Sequence, residues 1–111
     1  MKKQDRQIVY SKCNGHCAYC GKKIDCIDMQ VDHQNAKRNG GADNIENFFP
    51  SCRRCNHYKR SKDLEAFREY IKTLHERIAN DYIVKVGLDY GIVEIKPFDG
   101  KFYFERLEEK K

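Results

Sequence analysis

Apolar residues recur at intervals of three and four between residues 63 and 80, and this pattern predicts one amphipathic helix over that range. Asp63 stands directly before the first apolar position and is the expected N-cap. A helix is also predicted over residues 4–12, and a shorter one over residues 82–90 that ends at Gly91. The second half of the chain is therefore expected to be mainly helical.

Two short strands and an intervening loop are predicted in the first half. The first strand covers residues 26–31 and the second covers residues 45–49, where Pro50 ends it. Residues 34–44 are polar and include two adjacent glycines, so they are predicted to form the loop. A further helix is expected to start within residues 52–59. Strands followed by helices predict an α+β fold.

The aromatic segment near the end of the chain, residues 101–107, has the composition of a strand. Alternation along a strand would place Phe102, Phe104 and Arg106 on one side. We expect the aromatic side chains to pack on the helix that follows Asp63, in preference to stacking on nucleic-acid bases.

The charge content of the chain limits the apolar core that it can form. It has 111 residues, of which 35% are charged, and its mean hydropathy is −0.89. A domain this small and polar is more easily stabilised when it binds a metal. The 22 Lys and Arg outnumber the 17 Asp and Glu, and the net charge of +5 suits a polyanionic partner or, equally, a well-solvated surface.

The chain is expected to be cytoplasmic and to lack contact with membranes. Its first ten residues are basic but have no apolar run of the kind found in signal peptides, and no stretch is long enough to span a bilayer. In a reducing compartment, the six cysteines are expected to bind metal rather than to form disulfides.

Two CxxC pairs predict a structural zinc site. The proposed ligands are Cys17, Cys20, Cys52 and Cys55. Residues 21–51 separate the pairs, so the zinc would join the two ends of the segment that contains the strands and loop. The alternatives are redox chemistry and simple buried thiols. Cys13 and Cys26 are spare, and we expect both to be buried free thiols.

Four motifs follow one another along the chain: CAYCG at 17–21, VDH at 31–33, NGGADNIEN at 39–47 and CRRCNHYK at 52–59. These motifs and their order resemble the zinc-stapled branch of the HNH endonuclease family. The likeness covers roughly residues 8–68. It implies a small ββα-metal unit stapled by a zinc ion on four cysteines. The pattern along the rest of the chain predicts that residues 69–111 are a helical extension with a possible terminal strand, within a single domain of residues 1–111.

The resemblance implies a role for each of four residues. His33 would be the general base, Asp32 and Asn56 would hold a catalytic divalent ion, and Asn47 would hold the loop so that His33 faces the attacking water. Phosphodiester hydrolysis needs an activated water and neutralisation of developing charge, which a near-neutral imidazole and a metal with open positions can supply. Oxygen ligands favour Mg²⁺ or Mn²⁺.

Two neighbours of Asn56 are further candidates. His57 is an alternative metal ligand, although adjacent residues on a helix point apart. Arg60 occupies the position at which some members of the family have another His ligand. We expect Arg60 to contact phosphate instead.

Basic residues surround these motifs and predict contacts with DNA, most simply with double-stranded DNA. Arg53, Arg54, Lys59 and Arg60 are the expected phosphate contacts, with Lys62 nearby, whereas Lys37 and Arg38 are left open. The alternative interpretation of all these charges is solvation. A homodimer or a larger targeting partner is compatible with so small a chain, as is an origin in a phage or mobile element.

The sequence thus predicts a metal-dependent endonuclease that hydrolyses DNA. The main alternative is a zinc-stabilised DNA-binding module without catalysis. A third interpretation is a protein-interaction zinc domain that docks through its aromatic tail.

Overall fold

The computed structural model describes residues 1–36 and 40–110 and has the predicted α+β architecture. Its elements in chain order are α1 (Lys3–Ser11), β1 (Gln30–His33), a 3-10 turn (Ile45–Asn47), β2 (Phe48–Ser51), α2 (Arg53–Lys59), α3 (Leu64–Lys72), α4 (Leu74–Ala79), α5 (Tyr82–Asp89) and α6 (Tyr103–Glu109). Lys37 and Arg38, left open above as phosphate contacts, lie outside the described residues. None of the described helices has the length and apolar character needed to cross a bilayer.

The two strands form an antiparallel pair and lead directly into α2, which is the order of a ββα unit. Val31 lies opposite Pro50, and His33 lies opposite Phe48. The Pro50 carbonyl accepts a hydrogen bond from the backbone N–H of Ala18 at 2.8 Å, so this side of β2 faces away from β1. The missing N–H of proline therefore costs the β1–β2 pair no hydrogen bond.

Both strands start and end a few residues later than predicted. Residues 26–28 form a turn, in which the N–H groups of Asp28 and Met29 bond the carbonyl of Asp25 at 3.0 and 3.1 Å, so β1 starts later and includes Asp32 and His33. Ile45–Asn47 is a 3-10 turn, and the return strand starts only at Phe48.

The predicted long helix is divided into α3 and α4 at Thr73. Its start is as predicted, because the Asp63 carboxylate caps the backbone N–H of Ala66 at 2.8 Å. At the break, the Tyr70 carbonyl accepts from the Thr73 hydroxyl at 2.9 Å and from the Arg77 guanidinium at 2.7 Å. These side chains replace the usual backbone donor, and such local bonds interrupt helices.

The predicted terminal strand is wrong, since the tail forms α6. The Glu105 carboxylate accepts from the backbone N–H of Phe102 at 2.9 Å and so caps the first turn. Glu105 also pairs with Arg68 of α3 at 2.5 Å. The Phe102 ring packs parallel to Phe67, with centroids 5.5 Å apart. The expected packing of the tail on α3 is therefore confirmed for Phe102, although on a helix start rather than a strand.

The core lies between the cysteine-rich segment, β2, α3 and the start of α6. Its buried members are Val9, Cys17, Tyr19, Ile24, Met29, Phe48, Cys52, Phe67 and Phe102. Backbone hydrogen bonds join α6 to the first CxxC segment, from Tyr103 N–H to the Tyr19 carbonyl at 3.1 Å and from Phe104 N–H to the Ala18 carbonyl at 2.9 Å. The tail is thus part of the packing that holds the first cysteine pair.

Candidate active site

The four cysteines of the two CxxC pairs come together in one cluster. The sulfur atoms of Cys17, Cys20, Cys52 and Cys55 all lie within 4.8 Å of one another. The Cys20 and Cys52 sulfurs are 3.9 Å apart. Tetrahedral zinc with Zn–S bonds of about 2.3 Å would hold its sulfurs about 3.8 Å apart. The cluster therefore has the composition and spacing of a structural zinc site.

The thiols of this cluster share their protons unequally. Hydrogen bonds from Cys20 and Cys55 lower the pKa of Cys17, whereas donating to Cys17 raises the pKa of Cys20 to about 11 and also raises the pKa of Cys55. A bound divalent cation would displace the protons of these thiols.

The two spare cysteines are not members of the cluster formed by the described residues. Cys13 is buried, and burial raises the pKa of its thiol to about 11. Cys26 is half-buried rather than buried as expected, and its thiol lies 3.8 Å from the amide oxygen of Gln7.

The first CxxC turn is fitted closely to its surroundings. The Gly21 N–H bonds the Cys17 carbonyl at 3.0 Å, with Gly21 at a φ of +82°. A Cβ at Gly21 would lie 2.7 Å from Cδ1 of Tyr103 at the start of α6. The second pair is placed by α2, because Cys52 is its N-cap and accepts from the Cys55 N–H at 3.3 Å.

Asp32 lies on β1 and is nearly closed to solvent, with 6% of its surface exposed. Its Oδ2 accepts from the Tyr19 hydroxyl at 2.5 Å and lies 3.0 Å from Nζ of Lys59. Burial raises the pKa of the Asp32 carboxyl, and the bonds from Tyr19 and Lys59 oppose that rise. Both contacts use one oxygen of the carboxylate.

Lys59 is buried in the structure, whereas the sequence predicted an exposed phosphate contact. Its side chain has no exposed surface, and Nζ donates to the His33 carbonyl at 2.9 Å in addition to its contact with Asp32. A buried ammonium group cannot reach a DNA phosphate, so the prediction for Lys59 was wrong. A charged residue in a basic segment is usually at the surface, and the sequence held no signal for the buried partner carboxylate.

His33 ends β1, and its side chain is 28% exposed. Its Nε2 lies 3.1 Å from Oδ1 of Asp43, and its ring meets Phe48 edge-on with centroids 4.9 Å apart. Sequence reasoning did not assign Asp43 a role. The only signal in the sequence was its position in the NGGADNIEN motif, which covers part of the loop and ends at Asn47.

Asn47 joins three parts of the loop. Its side-chain oxygen accepts from the Asn35 N–H at 3.0 Å, and its Nδ2 donates to the carbonyls of Asn35 and Ala42 at 2.9 and 2.8 Å. Its own carbonyl accepts from the Gln34 N–H at 2.8 Å. These are the contacts that a loop-holding residue would make next to His33.

Asn56 is half-buried on α2, three residues before Lys59. Residues at this spacing share a helix face. Because Lys59 points toward β1, Asn56 lies on the face of α2 that is directed to β1. His57 is exposed, and so are Arg53, Arg54 and Arg60. Arg60 is the C-cap residue that follows α2, and its φ of +54° is uncommon and strained for a residue with a side chain.

Residues 17–62 are similar to a known protein family. The family model described as HNH endonuclease matches residues 17–62, which contain all four clustered cysteines together with Asp32, His33, Asn47 and Asn56. No curated protein matches the chain. The family-model match thus lies at residues 17–62, and the four cysteines within it are positioned to bind a metal, which is consistent with a zinc-stapled HNH unit.

Proposed function

We propose that this protein is a metal-dependent endonuclease that hydrolyses DNA phosphodiester bonds. The family assignment implies nuclease-type activity. The observation that carries the finer proposal is the joining of β1 to α2 through Lys59, which bonds Asp32 and His33 at the same time. Through this joint, the strand that carries Asp32 and His33 is held against the helix that carries Asn56.

A catalytic divalent ion would be held by Asp32 and Asn56. Tyr19 and Lys59 take up Oδ2 of Asp32, so Oδ1 is the oxygen proposed for the metal. A carboxylate and an amide oxygen are hard donors and fit Mg²⁺ or Mn²⁺. When bound, the ion supplies charge neutralisation at the scissile phosphate and the leaving oxygen.

His33 is the proposed general base. In the proposed tautomer, the Nε2–H group of His33 donates a hydrogen bond to Asp43, and Nδ1 is unprotonated with its lone pair available. Nδ1 then accepts a proton from the attacking water. The edge-on contact with Phe48 restricts rotation of the ring, and Asn47 fixes the loop around it. The roles of the cysteines are structural, with zinc as the proposed metal.

Double-stranded DNA is the proposed substrate. Arg53, Arg54 and Arg60 are exposed on or beside α2 and are proposed to contact phosphates. We also propose one domain of residues 1–111 with a nuclease core at 8–68 and an extension at 69–111. The hydrogen bonds from α6 to the first CxxC segment support a single unit.

The test is incubation of the zinc-loaded protein with supercoiled plasmid, with Mg²⁺ or Mn²⁺ or with neither, alongside His33→Ala. His75→Ala is a matched control, because it removes a histidine from α4, outside the family match. We expect metal-dependent cleavage by the wild type and by the control, and none by His33→Ala, with zinc content unchanged. Cleavage by a clean His33→Ala preparation would exclude the assigned base.

One observation favours the alternative of a DNA-binding module without catalysis. Lys59 already neutralises Asp32, and a neutralised carboxylate attracts a cation less strongly. Retarded DNA without cleavage under any divalent ion would establish that alternative. The third interpretation, docking through the aromatic tail, loses its main support because Phe102 is 2% exposed.

A further inference from the structure

An aromatic and cationic cluster lies where α2, α3 and α4 meet. The rings of Tyr58 and Tyr70 are stacked, with centroids 4.9 Å apart and planes inclined at 27°. Arg77 lies over the Tyr70 ring at 4.2 Å, and Nζ of Lys62 lies over the same ring at 4.5 Å. We call Tyr58, Tyr70, Lys62 and Arg77 the tyrosine platform.

Arg77 is held in one orientation by neutral groups. Its Nη1 donates to the Tyr58 hydroxyl at 2.8 Å, its Nη2 to the Tyr70 carbonyl at 2.7 Å, and its Nε to the Thr73 hydroxyl at 3.2 Å. Hydrogen bonds from Tyr70 and Arg77 also lower the pKa of the Tyr58 hydroxyl. The guanidinium is therefore fixed in place, and none of these partners cancels its charge.

The platform carries two positive charges, those of Lys62 and Arg77. Neither Arg77 nor Lys62 takes part in any salt bridge found among residues 1–36 and 40–110. Arg68 on α3 provides the contrast, because it pairs with both Glu65 and Glu105. The exposed Arg60 lies two residues before Lys62 in the sequence.

We propose that the tyrosine platform binds the sugar–phosphate backbone of nucleic acid beside the cleaved site. This inference rests on the proposed function for its choice of ligand. Guanidinium and ammonium groups held in place over the Tyr70 ring suit the oxygens of a phosphate backbone. Tyr70 and Arg77 lie beyond the matched residues 17–62, so the extension contributes affinity that the HNH segment lacks.

An acidic protein surface is the competing ligand for the same charges. Nucleic acid is favoured because Tyr58 is on α2, the helix that also carries Asn56 and begins with the exposed Arg53 and Arg54. A backbone that reaches the proposed active site along α2 would continue onto the platform. Phosphates repeat regularly along a strand and can meet cations on both sides of the scissile bond.

The test measures binding of the zinc-loaded protein to a labelled DNA duplex by fluorescence anisotropy over a range of salt concentrations, without Mg²⁺ or Mn²⁺. The variant is the double substitution Lys62→Gln and Arg77→Gln. Two lost phosphate contacts should reduce the magnitude of the slope of log K against log salt by about 1.8. The matched control is Lys85→Gln with Lys96→Gln, which removes the same charge from exposed positions elsewhere.

Each outcome decides the inference. A reduced slope for the platform variant with an unchanged slope for the control supports it. Equal slopes for both variants overturn it, whether both are reduced or neither is, and an unchanged pair would direct the search to an acidic protein ligand. Arg77→Lys guards against a folding defect, since it keeps the charge and should retain most of the slope. Plasmid cleavage by the wild type tests the proposed function separately, so that either can fail alone.

Discussion

The ammonium of Lys59 lies 3.0 Å from Oδ2 of Asp32, with the two side chains 0% and 7% exposed. The same ammonium donates to the His33 carbonyl at 2.9 Å. One buried lysine thus joins α2 to both residues of the Asp-His pair on β1. The Tyr19 hydroxyl, from the first CxxC turn, completes the surroundings of Asp32. The cysteine cluster and the proposed catalytic strand are therefore parts of one packed unit.

Lys59→Met should destabilise the protein strongly. Methionine fills most of the volume but leaves the Asp32 carboxylate buried without its cation, and loss of one partner of a buried ion pair costs about 3–5 kcal/mol. The free energy of unfolding of the zinc-loaded protein, measured with urea, tests this. Adding Asp32→Asn to Lys59→Met should recover part of the loss.

A surface lysine provides the control for that experiment. Lys72 on α3 is 46% exposed and makes a 3.4 Å contact with Glu69, so Lys72→Met should change the free energy by no more than about 0.5 kcal/mol. Similar losses for the two substitutions would mean that the Lys59–Asp32 pair contributes nothing particular.

Removal of the metal should unfold the segment that the four cysteines close. The wild type is expected to contain one zinc ion per cluster, and Cys20→Ser should lose it, because Cys20 is a member of the cluster. Zinc content by metal analysis and helix content by circular dichroism test this before and after a strong chelator is added. Cys26→Ser is the matched control and should keep its zinc; equal loss would mean a different ligand set.

Short motifs predicted more of this molecule than composition did. The grouping of the four cysteines follows from the two CxxC motifs, and the start of α2 and the Asp63 cap depend on neighbours in sequence; all three were predicted correctly. The tail was misassigned because its aromatic composition favours a strand, whereas its conformation depends on Glu105 pairing with the distant Arg68.

At the candidate site, the burial of Lys59 was likewise not predictable from its neighbours in sequence. Its burial depends on Asp32 and on the His33 carbonyl, and neither is near it in sequence. The platform of Tyr58 and Tyr70 also forms only when α2 and α3 pack together. Contacts of this kind are set by tertiary structure, which hydrophobic periodicity does not report.

Asn47→Ala should impair cleavage far more than zinc binding. It removes the three side-chain hydrogen bonds to Asn35 and Ala42 that hold the loop beside His33. Loss of such positioning contacts commonly reduces activity by about 10–100-fold. Plasmid cleavage rates and zinc content, measured on the same preparation, test this.

Asn44→Ala is the control for Asn47, because Asn44 lies in the same segment and its side chain does not cap the 3-10 turn. It should retain most of the cleavage rate. If both alanine variants cut DNA as fast as the wild type, the loop does not need Asn47 to position His33.

Asp43→Ala should slow cleavage without loss of zinc. Its carboxylate lies 3.1 Å from Nε2 of His33 and is the proposed acceptor that orients the ring. We expect a decrease in kcat of about 10–100-fold, with a smaller change in KM, because orientation of the base affects the chemical step more than binding. Asp43→Asn keeps a hydrogen-bond acceptor and should recover part of the rate; a decrease confined to KM would instead place Asp43 in substrate binding.

Gly21→Ala should loosen the contact between α6 and the cysteine cluster. The new Cβ would lie 2.7 Å from Cδ1 of Tyr103, and the backbone would keep a φ of +82°, so overpacking of about 1–3 kcal/mol adds to the conformational cost. Gly91 has a φ of +71° with nothing within 4 Å of its Cβ position, so Gly91→Ala should incur the conformational cost alone. The free energies of unfolding should therefore differ between the two variants. In a Tyr103→Ala background the difference should disappear, because the atom that Cβ would meet is gone; if it persists, the strain at Gly21 lies in the CxxC turn itself and not in its packing against α6.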